Sequence, residues 1–130
     1  MKARLTALFA TLLLAFSGNL FAVGLGDIKV ESGLNEPFRA RIALLKVGDL
    51  SDAEILVKIG SEQQFAERKM SRDYLYTRLR FQVDLQDRKN PSVLVTTEEA
   101  VKEPSLDFLV QLEWPSGRLV RGYTVLLEKP

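Results

Sequence analysis

Apolar and polar positions alternate most regularly near the C-terminus, where Leu106, Phe108, Val110 and Leu112 interleave with Ser105, Asp107, Leu109 and Gln111. A period of two marks a half-buried strand with the Leu106 face turned inward. Pro115 presets one turn dihedral and Gly117 supplies permissive backbone, so the chain reverses there and returns from Leu119 to about Glu128. Upstream, Val23 to Gly26 reads as a flexible lead into a short strand, Ile28 to Ser32, and Gly33 to Pro37 is a turn cluster. Phe38 to Val47 is a long strand with Phe38, Ala40, Ile42 and Leu44 on one face and Arg39, Arg41 and Ala43 on the other. Ser51 to Glu54 has capping-box spacing and predicts a single helical turn before a strand at Ile55 to Ile59. The same spacing at Ser61 to Gln64 predicts one or two helical turns over Glu62 to Lys69. Tyr74 to Leu85 alternates again, with Leu79, Phe81, Val83 and Leu85 set against Arg78, Arg80, Gln82 and Asp84. A polar loop, Gln86 to Pro91, precedes a further β-rich run at Ser92 to Thr97. About seven strands with no long helical period predict an all-β fold: a single antiparallel, immunoglobulin-like β-sandwich with one or two short helical turns.

The first 22 residues follow a different pattern and are expected to be a signal peptide. Lys2 and Arg4 form a basic start, Leu5 to Phe16 an apolar core, and Ala22 a small residue suited to cleavage. The apolar run is about 12 residues, short of the roughly 20 needed to span a bilayer, so no membrane span is expected after cleavage. The remaining Val23 to Pro130 is expected to form one exported domain, large enough to fold without a disulfide. The chain has no cysteine, which suits that reading and leaves no site for lipid attachment. Removing Lys2 and Arg4 from the 18 basic residues leaves 16 against 17 acidic ones, a net charge of about −1. Nothing in that balance calls for nucleic acid.

The absence of histidine and cysteine removes the commonest general base, the soft metal ligands and every Cys-His or Ser-His nucleophile pair. Carboxylate pairs such as Asp49 with Asp52, or Glu98 with Glu99, fit turn and cap chemistry better than catalysis. Gly24-Leu25-Gly26-Asp27 precedes a strand rather than opening a helix, so it does not read as a phosphate-binding loop. No enzyme, cofactor or metal is expected. Three features bear on binding. Arg39 and Arg41, with Arg78 and Arg80, would form a basic stripe if their strands were neighbours, against the plainer reading of a solvated face. Trp114, with Arg118 and Arg121 nearby, is a contact candidate, although its place on the Phe108–Val110–Leu112 face favours covering the core. Open sheet edges would accept a partner strand.

Three segments carry a family resemblance: GLGDIKVESGLNEPFRARIALL, SEQQFAERKMSRDYLYTRLRFQV and VKEPSLDFLVQLEWPSGRLVRGYTVLLEKP. In order and over nearly all of Gly24 to Pro130, they resemble the N-terminal periplasmic domain of FimV-type proteins. The closing WPSGRL and YTVLL wording is the most specific part. The resemblance implies a bacterial periplasmic domain tied to type IV pilus assembly, twitching motility or type II secretion. It implies partners among cell-envelope proteins, with proximity to peptidoglycan. Longer relatives carry a peptidoglycan-binding LysM module, a membrane span and tetratricopeptide repeats, none of which this chain contains. It departs from the family pattern at Arg39 and Arg41, where acids are common, and at Gly122, which stands in place of glutamate and suggests a bulge or a weakened strand position. Alternatives to an assembly role are a chaperone-like protein acting through an exposed sheet edge, and a peptidoglycan-binding module using Tyr74, Tyr76 and Trp114.

Overall fold

In a computed structural model that describes residues 22–129, the alternating segments become seven strands in two antiparallel sheets. The expected signal peptide lies outside the described residues. Strands β1 (Gly24–Val30), β2 (Pro37–Leu45), β4 (Arg80–Asp84) and β5 (Ser92–Ala100) form one sheet in the order β1-β2-β5-β4. Strands β3 (Leu56–Ile59), β6 (Ser105–Trp114) and β7 (Gly117–Leu126) form the other, with β6 in the centre. A 3₁₀ turn, Asp52–Glu54, precedes β3, and two short helices, α1 (Glu62–Glu67) and α2 (Tyr74–Thr77), connect β3 to β4. This is an immunoglobulin-like β-sandwich.

The core follows from the period-two pattern. Phe38, Ala40, Ile42 and Leu44 of β2 and Val93 and Val95 of β5 meet Leu106, Phe108, Val110 and Leu112 of β6, all of them buried. An aromatic file crosses this interior, Phe65–Tyr76–Phe108–Tyr123, with successive ring centroids 6.2, 5.7 and 6.2 Å apart. Ser61 caps α1 as its sequence predicts: its hydroxyl accepts the Gln64 N–H at 3.1 Å, and its own N–H reaches Gln64 Oε1 at 2.8 Å. The helix ends in a Schellman turn, where Met70 N–H bonds Phe65 O at 2.9 Å and Lys69 N–H bonds Ala66 O at 3.0 Å. That turn places Lys69 at φ 57, a conformation unfavourable for a residue with a Cβ.

Five expectations change. Val23 to Gly26 is not a flexible lead, because Val23 and Leu25 are buried and β1 begins at Gly24. Its glycines misled: a Cβ on Gly26 would lie 3.0 Å from Ala43 Cβ, so close strand approach accounts for that residue. Tyr74 to Thr77 is helix rather than strand, opened by Asp73 in extended conformation, and the strand starts only at Arg80. Gly122 pairs with Leu109 in an unbroken β6–β7 register, so it makes no bulge; the register shift lies instead between Leu25 and Ile28. Phe81 is only half-buried on the short strand β4. Finally, β6 is covered on both faces at Leu109 and Gln111, which alternation alone had placed toward solvent.

Phe108→Ala is expected to lower unfolding stability by about 3–5 kcal/mol, as large core deletions do. Phe81→Ala should cost less, about 1–2 kcal/mol, since less apolar area is at stake. Urea titration of both variants checks the ranking, and equal losses would contradict the burial difference. Lys69→Gly should stabilise by roughly 0.5–1 kcal/mol by relieving the left-handed backbone at the end of α1. A lower denaturation midpoint for that variant would count against the Schellman assignment.

Candidate interaction surface

The arginines of the first sheet do not make a basic stripe. β5 stands between β2 and β4, so Thr96 separates Arg39 from Arg80 along one register row. Acids neutralise the face as well: Glu31 lies 3.6 Å from both Arg39 and Arg41, Asp84 lies 3.3 Å from Arg41, and Arg80 pairs with Glu98. Arg78 sits apart, exposed at the C-cap of α2 rather than on a strand face. Arg39, Arg41, Arg78 and Arg80 fit the plainer reading of a solvated face, the three on strands β2 and β4 being ion-paired.

Arg121 serves the fold. Its guanidinium donates to Leu25 O at 2.7 Å, pairs with Asp27 at 3.3 Å and lies 4.9 Å from the centroid of the Tyr123 ring. The Tyr123 hydroxyl donates to Gly26 O at 2.7 Å. Together they tie β7 of one sheet to the bulged part of β1 in the other. Burial in this tie pushes the Tyr123 phenol up to about 12, with Arg121 opposing the shift. Tyr76 is raised in the same direction, again chiefly by burial, while the hydrogen bond its hydroxyl accepts from Asp107 N–H opposes the rise.

The sheet edges are blunted. β3 and β4 are four and five residues long and lie against each other. At the β1 edge, Leu25 O and Gly26 O are already occupied by Arg121 and Tyr123. The bond from Leu127 N–H to Pro104 O shows that odd residues of β7 face β6, so the even ones carry the free edge. Along that edge Glu128 O accepts Leu34 N–H at 2.8 Å, and Arg68 reaches Val120 O at 3.5 Å. A long incoming strand would displace these groups.

Trp114 is half-buried against the core, as its place in the sequence pattern favours, and its ring packs on Gly117, where a Cβ would come within 2.8 Å. With Val23, Val47, Leu50 and Pro115 it lines an apolar cleft of about 500 Å³ at one end of the sandwich. Arg118 lies elsewhere, at the rim of a polar basin of about 630 Å³ on the outer face of β3, β6 and α1. The structure thus separates Trp114, Arg118 and Arg121, which the sequence had grouped.

The basin is built on Gly60, whose N–H bonds Leu109 O at 2.8 Å and whose missing side chain lets α1 approach β6: a Cβ there would lie 2.9 Å from Leu109 Cβ. Gln111, 5% exposed, forms the floor. Its Oε1 accepts from Gln64 Nε2 at 2.7 Å, and its Nε2 donates to Glu113 Oε1. Lys58 lies 3.6 Å from the same Glu113 oxygen. Arg72 leans on Phe65, 6.0 Å from the ring centroid, and donates Nε to Gly60 O at 2.9 Å. Sequence reasoning missed Gln64, Gln111, Glu113, Lys58 and Arg72; alternation put Gln111 on the outward face of β6, and no local signal marked it as covered by α1.

Two antiparallel sheets of four and three strands, packed as a sandwich, define an immunoglobulin-like domain. Comparison with known proteins gives the family. Residues 23–130 match the family model of the FimV N-terminal domain, an Ig-like domain, and the chain belongs to that family. It is 41% identical over 114 residues to the motility hub protein FimV of Pseudomonas aeruginosa strain PAO1, and equally to that of strain UCBPP-PA14. The match covers 88% of this chain and 12% of each relative, so the chain spans about an eighth of their length. No solved structure matches.

The raised Tyr123 pKa fixes the sign of an alkaline response. The folded state holds a proton that the unfolded chain releases near pH 10, so stability is intact below that pH and falls as pH rises toward about 12. The loss should approach about 2–3 kcal/mol. Tyr123→Phe should be weaker at neutral pH by about 1 kcal/mol, having left Gly26 O unpaired, and should show less of the alkaline decline. Urea midpoints measured from pH 8 to pH 12 for both proteins check this, and parallel curves would show that Tyr123 does not titrate differentially.

Proposed function

We propose that this chain is a non-enzymatic, periplasmic protein-interaction domain that contributes to assembling or placing motility machinery of the cell envelope, a type IV pilus in particular. The match of residues 23–130 to the FimV N-terminal domain carries the reading, since the relatives are motility hub proteins. The N-terminal basic and apolar pattern supports export, with cleavage after Ala22. The lack of histidine and cysteine anywhere in the sequence supports a role without catalysis. Its mechanism is surface complementarity on a rigid frame, the contacts coming from faces and loops rather than from an added strand.

The blunted edges weigh against a chaperone that accepts strands from exported subunits. A glycan platform is disfavoured because Tyr76 is buried and Trp114 packs on the core, which leaves Tyr74, 75% exposed, as the one open ring among these three. Cross-linking in living cells with the tagged full chain as bait tests the proposal. Pilus-alignment or motility proteins of the envelope are expected in the captured set. Recovery of incompletely folded exported subunits alone would replace the assembly role with chaperoning.

A further inference from the structure

We infer that the basin over Gln111 is a carboxylate-binding subsite that takes an aspartate or glutamate side chain from a partner protein. This inference rests on the interaction-domain reading. Its basis is the way the charges around the basin are already spent. Glu113 is the cross-strand partner of Arg118 and its natural counter-ion. Yet Glu113 is held by Lys58 at 3.6 Å and by the Gln111 amide, and Arg118 has no salt-bridge partner among the described residues. Glu67, the other acid of the rim, accepts from Gln63 Nε2 at 3.2 Å. Arg72 uses Nε on Gly60 O, which leaves its terminal nitrogens as donors.

The rim therefore carries three cations, Lys58, Arg72 and Arg118, against two acids, Glu67 and Glu113. One added negative charge balances it. A dianion such as phosphate would overshoot and meet both rim carboxylates, so a single carboxylate is the better match. Arginine suits it, because its planar fork presents paired donors to the two carboxylate oxygens. The floor is rigid: Gln111 is buried and fixed at both ends of its amide, and Gln64 is fixed in turn by Ser61 N–H through the cap of α1. A preset floor lowers the ordering cost of binding. The basin's place on the outer face of β6 leaves it clear of the tied edges and of the core.

The test is a nuclear magnetic resonance titration of the isotope-labelled exported protein with acetyl-Gly-Glu-Gly-amide, and with the glutamine peptide as neutral control. The glutamate peptide is expected to shift the side-chain amide signals of Gln64 and Gln111 and to saturate in the millimolar range, while the neutral peptide does not. Arg118→Gln, an exposed change, should weaken that binding about fivefold and Arg78→Gln should leave it unchanged. Equal shifts with both peptides, no shift at Gln64 and Gln111, or full binding by Arg118→Gln would each overturn the subsite. Failure here with envelope partners still captured in cells would remove the subsite and leave the interaction role standing. Binding of the peptide with no partner captured would do the reverse.

Discussion

Strand β6 has no solvent-facing side over its middle, and much of the rest of the molecule answers to that constraint. It is the centre of a three-stranded sheet, with Phe108, Val110 and Leu112 turned toward β2 and β5. Leu109 and Gln111 project from the other face and would stand in water if nothing lay over them. Helix α1 covers them, and it can come so close because Gly60 has no side chain. The cap at Ser61 then aims Gln64 at Gln111, so the buried amide is satisfied rather than stranded. A buried amide without a partner would cost about 1–3 kcal/mol, enough to matter in a domain of this size. Helix cap, glycine and glutamine pair are thus one solution to covering one strand.

The second constraint is closure. Two sheets of four and three strands leave four edges, and each is an invitation to pair with another chain. Short strands answer at β3 and β4. At the opposite side Arg121 and Tyr123 reach across from β7 to take the carbonyls of β1, where the register shift turns Leu25 and Gly26 toward them. The same interaction that closes the sandwich raises the Tyr123 pKa, because the phenol is removed from water while it donates. Gly122 lies in a regular register, and a Cβ there would meet only ordinary contact with Leu109.

Strand pattern was legible wherever burial was one-sided. β2 and β5 alternate in sequence and in space, and the Pro115–Gly117 reversal lies where the turn residues put it. The failures share a cause. Tyr74 to Thr77 alternates like a strand, but Asp73 ahead of it starts a helical turn, and the aromatic file needs Tyr76 pointing at Phe65 and Phe108. Val23 and Leu25 looked loose beside two glycines, one of which, Gly26, close strand packing requires. The basic stripe needed a strand order that local sequence does not encode, and β5 intervened. Gln111 was invisible for a related reason: whether an outward position is buried depends on a helix arriving from elsewhere in the chain.

These constraints also decide which surfaces remain for contact. The first sheet's outer face is neutralised row by row, its arginines engaged by Glu31, Asp84 and Glu98. The edges are tied or short, and Trp114 is committed in part to the core. Among the concave regions that remain, two differ sharply in chemistry, an apolar cleft beneath Trp114 and a polar basin over Gln111. Arg118 is exposed and has no salt-bridge partner among the described residues, so removing its charge should change stability little. Its counter-ion is held instead by Lys58 and Gln111, an arrangement that keeps the basin open to an external acid. The covering of β6 therefore buries Leu109 and Gln111 and, through the bonds that satisfy Gln111, sets the charge balance of the basin above it.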